Sequence, residues 1–80
     1  MNKNSNESSQ IEIFRKYLKK SYENSHFNSI REFASKANVN HAYISRILNG
    51  QKKTPPSPDV LEKMANALNV DYIEMMFKAG

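Results

Sequence analysis

The sequence predicts an all-α fold, a compact bundle of five short helices in which the second and third form a helix-turn-helix. Three observations carry this. Apolar residues recur at helical spacing, as in Ile11, Phe14, Leu18 and Tyr22, or Ile30, Phe33, Ala34 and Ala37. Helix-start residues stand ahead of such runs at Ser29, Asn40, Ser57 and Asp71, where a short polar side chain accepts from free backbone N–H groups. Stops follow at Asn38 and at Asn49-Gly50, because Asn and Gly tolerate the left-handed backbone at which helices end.

Residues 1–10 are Asn, Ser and charge with little to bury, so a disordered tail is expected there, ahead of a domain over 11–80. Helix 1 is expected from about Ile11 to Glu23, with Tyr17 widening its apolar stripe and Arg15, Lys16, Lys19 and Lys20 lying off it. In the loop Asn24–Asn28, Phe27 should tuck under helix 2, while His26, alone and without a carboxylate cluster, reads as polar surface. Ser29 and Glu32 form the S-x-x-E capping box of helix 2, which runs from Ile30 to about Ala37. Val39 fills the corner and Asn40 caps helix 3, His41 to Leu48, with Ile44, Ile47 and Leu48 inward. The loop from Gln51 is stiffened by Pro55 and Pro56. Ser57 then caps helix 4, and Pro58 takes the first helical position, where its missing N–H costs nothing. Val60, Leu61, Met64, Ala65, Ala67 and Leu68 should face the core. Helix 5 starts at Asp71 with a second box to Glu74 and a Val70–Met75 staple. Tyr72 and Met75 complete the core. For the adjoining stripe Ile73, Met76 and Phe77 two readings stay open, absorption into the core or an association surface for a second chain.

Eighty residues bound the chain to one small domain with a thin core. There is no cysteine, hence no disulfide framework, thiolate metal site or cysteine nucleophile. The N-terminus lacks the apolar segment of a signal peptide, and no apolar run approaches the length of a membrane span, so a cytoplasmic location away from membranes is expected. With no Gly-rich phosphate loop and no paired carboxylates, the chain does not read as an enzyme, and no cofactor or metal is expected. The net charge is +4, but its placement is uneven. Residues 15–53 carry nine basic against two acidic side chains, a net of +7, while the segments on either side are net negative. That distribution suits a polyanionic partner, although solvating lysines on a small domain would account for the charge alone.

The stretch from Ser29 to Gly50 resembles the repressor/Cro-type, lambda-repressor-like helix-turn-helix family of phage and bacterial transcription regulators. Phe33, Ala37, Val39, Ile44 and Ile47 match the family's buried positions, Ala34 the close approach of its two helices, and Asn38 its turn. The segments ISRILNGQKKTPPSP and SPDVLEKMANALNVDYIEMM extend the likeness over about residues 11–80. Three positions depart from the pattern. Asn38 replaces a usual Gly, Ile30 a common Gln that would reach a phosphate, and Leu48 a frequent Glu that would pair with an Arg on helix 1.

The resemblance implies a sequence-specific regulator of transcription, a repressor, that binds double-stranded DNA by laying helix 3 across the major groove. Asn40, His41, Ala42 and Arg46 are then the base-reading residues. Ser29, Ile30 (through its backbone), Arg31, Tyr43, Ser45, Gln51, Lys52, Lys53 and Thr54 are the phosphate side. A homodimer on a near-palindromic operator is implied, with Ile73, Met76 and Phe77 as its interface. Related chains also often continue into a C-terminal domain. The rival expectation is a protein-interaction module of the same fold, antitoxin-like or regulatory, that binds a protein partner through helix 5.

Overall fold

The computed structural model describes the backbone of residues 3–80 and the side chains of residues 10–80. Five helices follow one another: α1 (Lys3–Glu23), α2 (Ile30–Ala37), α3 (His41–Leu48), α4 (Pro58–Leu68) and α5 (Tyr72–Ala79), with no strand among the described residues. Helices α2 and α3 match the expected segments, and α4 and α5 begin within a residue of their expected starts. Helix α1 begins eight residues before its expected start at Ile11. Once a helix is nucleated each further residue adds one hydrogen bond, and no Gly or Pro interrupts residues 3–10. The expected tail over 1–10 otherwise concerns side chains, through residue 9, that lie outside those described.

Local hydrogen bonding explains where the helices start and stop. Glu32 N–H donates to Ser29 Oγ at 3.1 Å, as a capping box requires. The Glu32 carboxylate, however, accepts from Asn28 N–H at 2.7 Å and not from Ser29 itself, so the box reaches one residue further out. The second box forms only in half. Asp71 Oδ1 accepts from Ile73 N–H, but no hydrogen bond runs back from Glu74 among the described residues.

Three helices end alike. Asn38 sits at φ 60°, Gly50 at φ 76° and Asn69 at φ 59°. At each, the next residue's N–H returns to a carbonyl five positions back: Val39 to Ala34 (3.1 Å), Gln51 to Arg46 (2.8 Å) and Val70 to Ala65 (3.0 Å). This is the Schellman arrangement, which satisfies the last carbonyls and turns the chain sharply. The two Asn-Val pairs are one device used twice.

Phe14, Leu18, Phe33, Ile44, Ile47, Met64 and Met75 are fully enclosed and, with small Ala34, Ala37, Ala65 and Ala79, form one core shared by all five helices. Phe27 packs its ring 5.6 Å from that of Phe33, and Tyr22 lies 5.9 Å from it on another side. Helix α1 packs on α3 and α5, and α4 on α2 and α5. The helix-turn-helix is therefore braced from both sides, and α5 closes the bundle behind it. At the α1–α5 seam, Gln10 Nε2 donates to the Lys78 carbonyl at 2.8 Å.

Several expectations need correction. Leu48 and Tyr72 are half-buried, not enclosed. Leu48 is the last residue of α3, so no following helical turn covers its outer flank. Arg15, off the apolar stripe as expected, binds Glu12 on its own helix, with contacts of 2.7 and 2.8 Å. This hydrogen-bonded pair draws the Glu12 carboxyl below its usual range. Of the two readings of the α5 stripe, absorption into the core fails. Ile73 is 56%, Met76 38% and Phe77 78% exposed.

Candidate nucleic-acid interface

Asn40 begins the interface. Its Oδ1 accepts from Ala42 N–H at 2.8 Å and from Tyr43 N–H at 3.2 Å. The acceptor half of this amide is thereby committed to capping α3, and only its Nδ2 donors remain to face outward. Along α3 the inward residues Ile44 and Ile47 leave the opposite arc to Ala42 and Arg46, an i, i+4 pair, and both are exposed. His41 and Ser45, half-buried, flank this pair on one side, and half-buried Tyr43 flanks it on the other. Ala42 and Arg46 thus share the outward face of a short, capped helix, with Asn40 at its leading edge and His41 on its flank.

The loop after α3 is shaped by Gly50. Because the chain reverses there, residues 51–54 run back beside α3. Gln51, Lys53 and Thr54 are exposed. Lys52 behaves differently: it is half-buried, and its Nζ lies 5.0 Å from the centroid of the Tyr43 ring. Burial pushes the Tyr43 phenol above its ordinary range, so the ring stays neutral. Sequence reasoning placed Tyr43 and Lys52 on the same surface but missed this contact, since nine residues and a chain reversal separate them.

At the start of α2, Ser29 has its carbonyl and its hydroxyl engaged by Phe33 and Glu32 N–H groups. The N–H groups of Ile30 and Arg31 have no acceptor among the described residues. The Ile30 side chain turns inward against the core. Arg31 and Ser29 are exposed.

Ion pairing separates this surface from the rest of the molecule. Among the described residues, the pairs are Arg15–Glu12, Lys19–Glu23 and Lys63–Asp59, all within α1 or α4. Arg31, Lys36, Arg46, Lys52 and Lys53 have no carboxylate within pairing distance among the described residues. Five cations of the helix-turn-helix and its loop can therefore meet an anion without breaking an existing bridge, whereas two of the α1 cations are already engaged. No described helix is long and apolar enough to cross a membrane. His26 is exposed and belongs to no group of potential metal ligands among the described residues.

Comparison with known proteins agrees with this geometry. A family model described as helix-turn-helix matches residues 28–75, from the loop before α2 into α5. The HTH-type transcriptional repressor RghR of Bacillus subtilis is 40% identical over 52 residues, which cover 65% of this chain and 38% of that protein. The chain thus matches well under two thirds of that relative's length. No solved structure gives a match.

Proposed function

The chain belongs to the helix-turn-helix family, and from that premise we propose that it is a sequence-specific DNA-binding regulator of transcription, most simply a repressor that occupies an operator. The observation that carries this reading is the Asn40/Ala42/Arg46 face. It is exposed, capped at its start by Asn40 and bordered by cations without carboxylate partners among the described residues. A similarity to a protein named as a transcriptional repressor supports the same reading.

On this reading α3 enters the major groove. Arg46 pairs bidentately with guanine and Ala42 meets a thymine methyl, while His41 works at the leading edge. Asn40, with its oxygen already used, acts as a donor and therefore reads acceptor edges, such as purine N7 or thymine O4. The free N–H groups of Ile30 and Arg31, the Ser29 and Ser45 hydroxyls and the side chains of Arg31, Gln51, Lys52, Lys53 and Thr54 hold phosphates. These contacts position the protein without specifying sequence.

The capping geometry supplies a test. Fluorescence anisotropy would compare a duplex from the region beside the protein's own gene with a scrambled duplex of equal length. Wild type should prefer the former, with strong salt dependence. Asn40→Ser keeps an oxygen for the cap and loses the outward donors. It should retain the thermal midpoint and the salt-sensitive binding while losing about 1 kcal/mol of preference, the low end for a bidentate contact, since only the donor half of the amide reaches a base. Asn40→Ala should in addition destabilise the fold by about 1 kcal/mol. If Asn40→Ser discriminates as well as wild type, Asn40 is a cap alone. A protein that binds neither duplex even at low salt is no DNA regulator.

The exposed Ile73/Met76/Phe77 face supports a homodimer, since a single copy leaves it in water. Two copies place two α3 helices about one turn of DNA apart on a near-palindromic site. Sedimentation should give a dimer for wild type, at least when bound to DNA, and a monomer for Phe77→Lys. Wild type that stays monomeric on DNA removes this role from α5 and favours the reading in which that face binds a different protein.

A further inference from the structure

The Lys52–Tyr43 contact has no structural duty that accounts for it. Lys52 pairs with no carboxylate among the described residues, yet it is half-buried while its neighbour Lys53 is exposed. Three features of the chain converge to put it there. Gly50, at φ 76°, reverses the backbone, and the Gln51 N–H donates to the Arg46 carbonyl at 2.8 Å, which pins the first loop residue onto α3. Pro55 and Pro56 then restrict the far end of the loop, and Pro56 is buried. Between these fixed ends the Lys52 ammonium lies 5.0 Å from the centre of the Tyr43 ring, on the flank of the face that carries Ala42 and Arg46.

A free lysine has many rotamers, and ordering it at the moment of binding costs affinity. A ring face attracts an ammonium without neutralising it, so the charge is held in place and still available to an anion. We infer that Tyr43 is a positioning residue: its ring, not its hydroxyl, holds Lys52 beside α3, poised to meet a backbone phosphate. This inference rests on the DNA-binding reading above. It changes the role of Tyr43, which acts through Lys52 and makes no phosphate contact of its own.

The test is a double-mutant cycle on binding to a random-sequence DNA duplex of about two helical turns. It uses wild type, Lys52→Met, Tyr43→Leu, Tyr43→Phe and the Tyr43→Leu/Lys52→Met double variant. Lys52→Met should lower the slope of log affinity against log salt by about 0.9, the value of one phosphate contact. Tyr43→Leu should weaken binding about two- to fivefold, the equivalent of one exposed ammonium–ring contact. In the Lys52→Met background the same change should do nothing further. Tyr43→Phe, which keeps the ring, should match wild type in both slope and affinity.

A second readout needs no DNA. The Lys52 ε-methylene protons should show an upfield ring-current shift in wild type and in Tyr43→Phe, lost in Tyr43→Leu. Equal weakening by Tyr43→Leu with and without Lys52 overturns the inference, because Tyr43 then acts on its own. Weakening by Tyr43→Phe also overturns it, since the hydroxyl is then the contact, as does a wild-type Lys52 signal without a ring-current shift. In each of these cases salt-sensitive binding by wild type leaves the DNA reading standing. No binding by wild type to any duplex removes both.

Discussion

Reversing the charge at position 46, Arg46→Glu, should abolish preference for the cognate duplex and drive binding to any duplex to near the detection limit. The fold should be untouched, because Arg46 is exposed and has no ion-pair partner among the described residues. Its place at the middle of the outward face of α3 means that a carboxylate there would confront both base edges and phosphates. The milder Arg46→Ala separates two roles. A bidentate contact to guanine is worth about 1–3 kcal/mol of discrimination, roughly a five- to 150-fold loss of preference. If Arg46 reads a base, Arg46→Ala should erase the preference and leave the scrambled-duplex affinity nearly as it was. If it clamps a phosphate, both affinities should fall together and the salt slope should drop by about 0.9. An Arg46→Ala variant with preference, both affinities and salt slope all unaltered would remove Arg46 from the DNA-facing surface. The same Arg46→Glu variant distinguishes the rival function, since a protein partner that docks on Ile73 and Phe77 should still bind it.

The largest effect on stability should come from Phe33→Ala. Phe33 is wholly enclosed, and its ring touches those of Tyr22 and Phe27, so it joins α1, the loop after it and α2. Truncating a buried Phe to Ala costs about 3–5 kcal/mol in lost transfer energy and residual cavity. A domain of this length is stable by only about 4–12 kcal/mol in total. The thermal midpoint should therefore fall by more than about 12 °C, at several degrees per kcal/mol, in calorimetry or circular dichroism. Phe27→Ala, at a half-buried site, should cost less than half as much. Because α2 and α3 are eight residues each and cannot persist alone, DNA binding should disappear with the fold and not before it. A midpoint that drops by less than about 4 °C would show that the aromatic cluster does not anchor the helix-turn-helix.

The sequence by itself determined where the helices lie and how they end. Ser29, Asn40, Ser57 and Asp71 cap the helices they were expected to cap, and Asn38 takes the left-handed conformation expected of it. Phe14, Leu18, Phe33, Ile44, Ile47 and Met64 are enclosed as their spacing requires. These features are legible because caps and helical faces are set by residues within about four positions of one another. Val70 at the end of α4 follows the same rule, since the Asn69-Val70 pair repeats Asn38-Val39, and the repetition was there to be read.

Tertiary structure alone decided the rest. That Leu48 stays half-covered depends on the paths of loops and chain ends relative to their neighbours. The exposure of Ile73 and Phe77 depends on how much core five helices leave to fill: α1 and α4 already enclose Met75 and Ala79, so one face of α5 has nothing left to cover it. The seat of Lys52 over Tyr43 needs the reversal at Gly50, which carries a lysine from beyond the end of α3 back along its side. Spacing along the chain holds no such information, because a turn can bring together residues that no helical period relates.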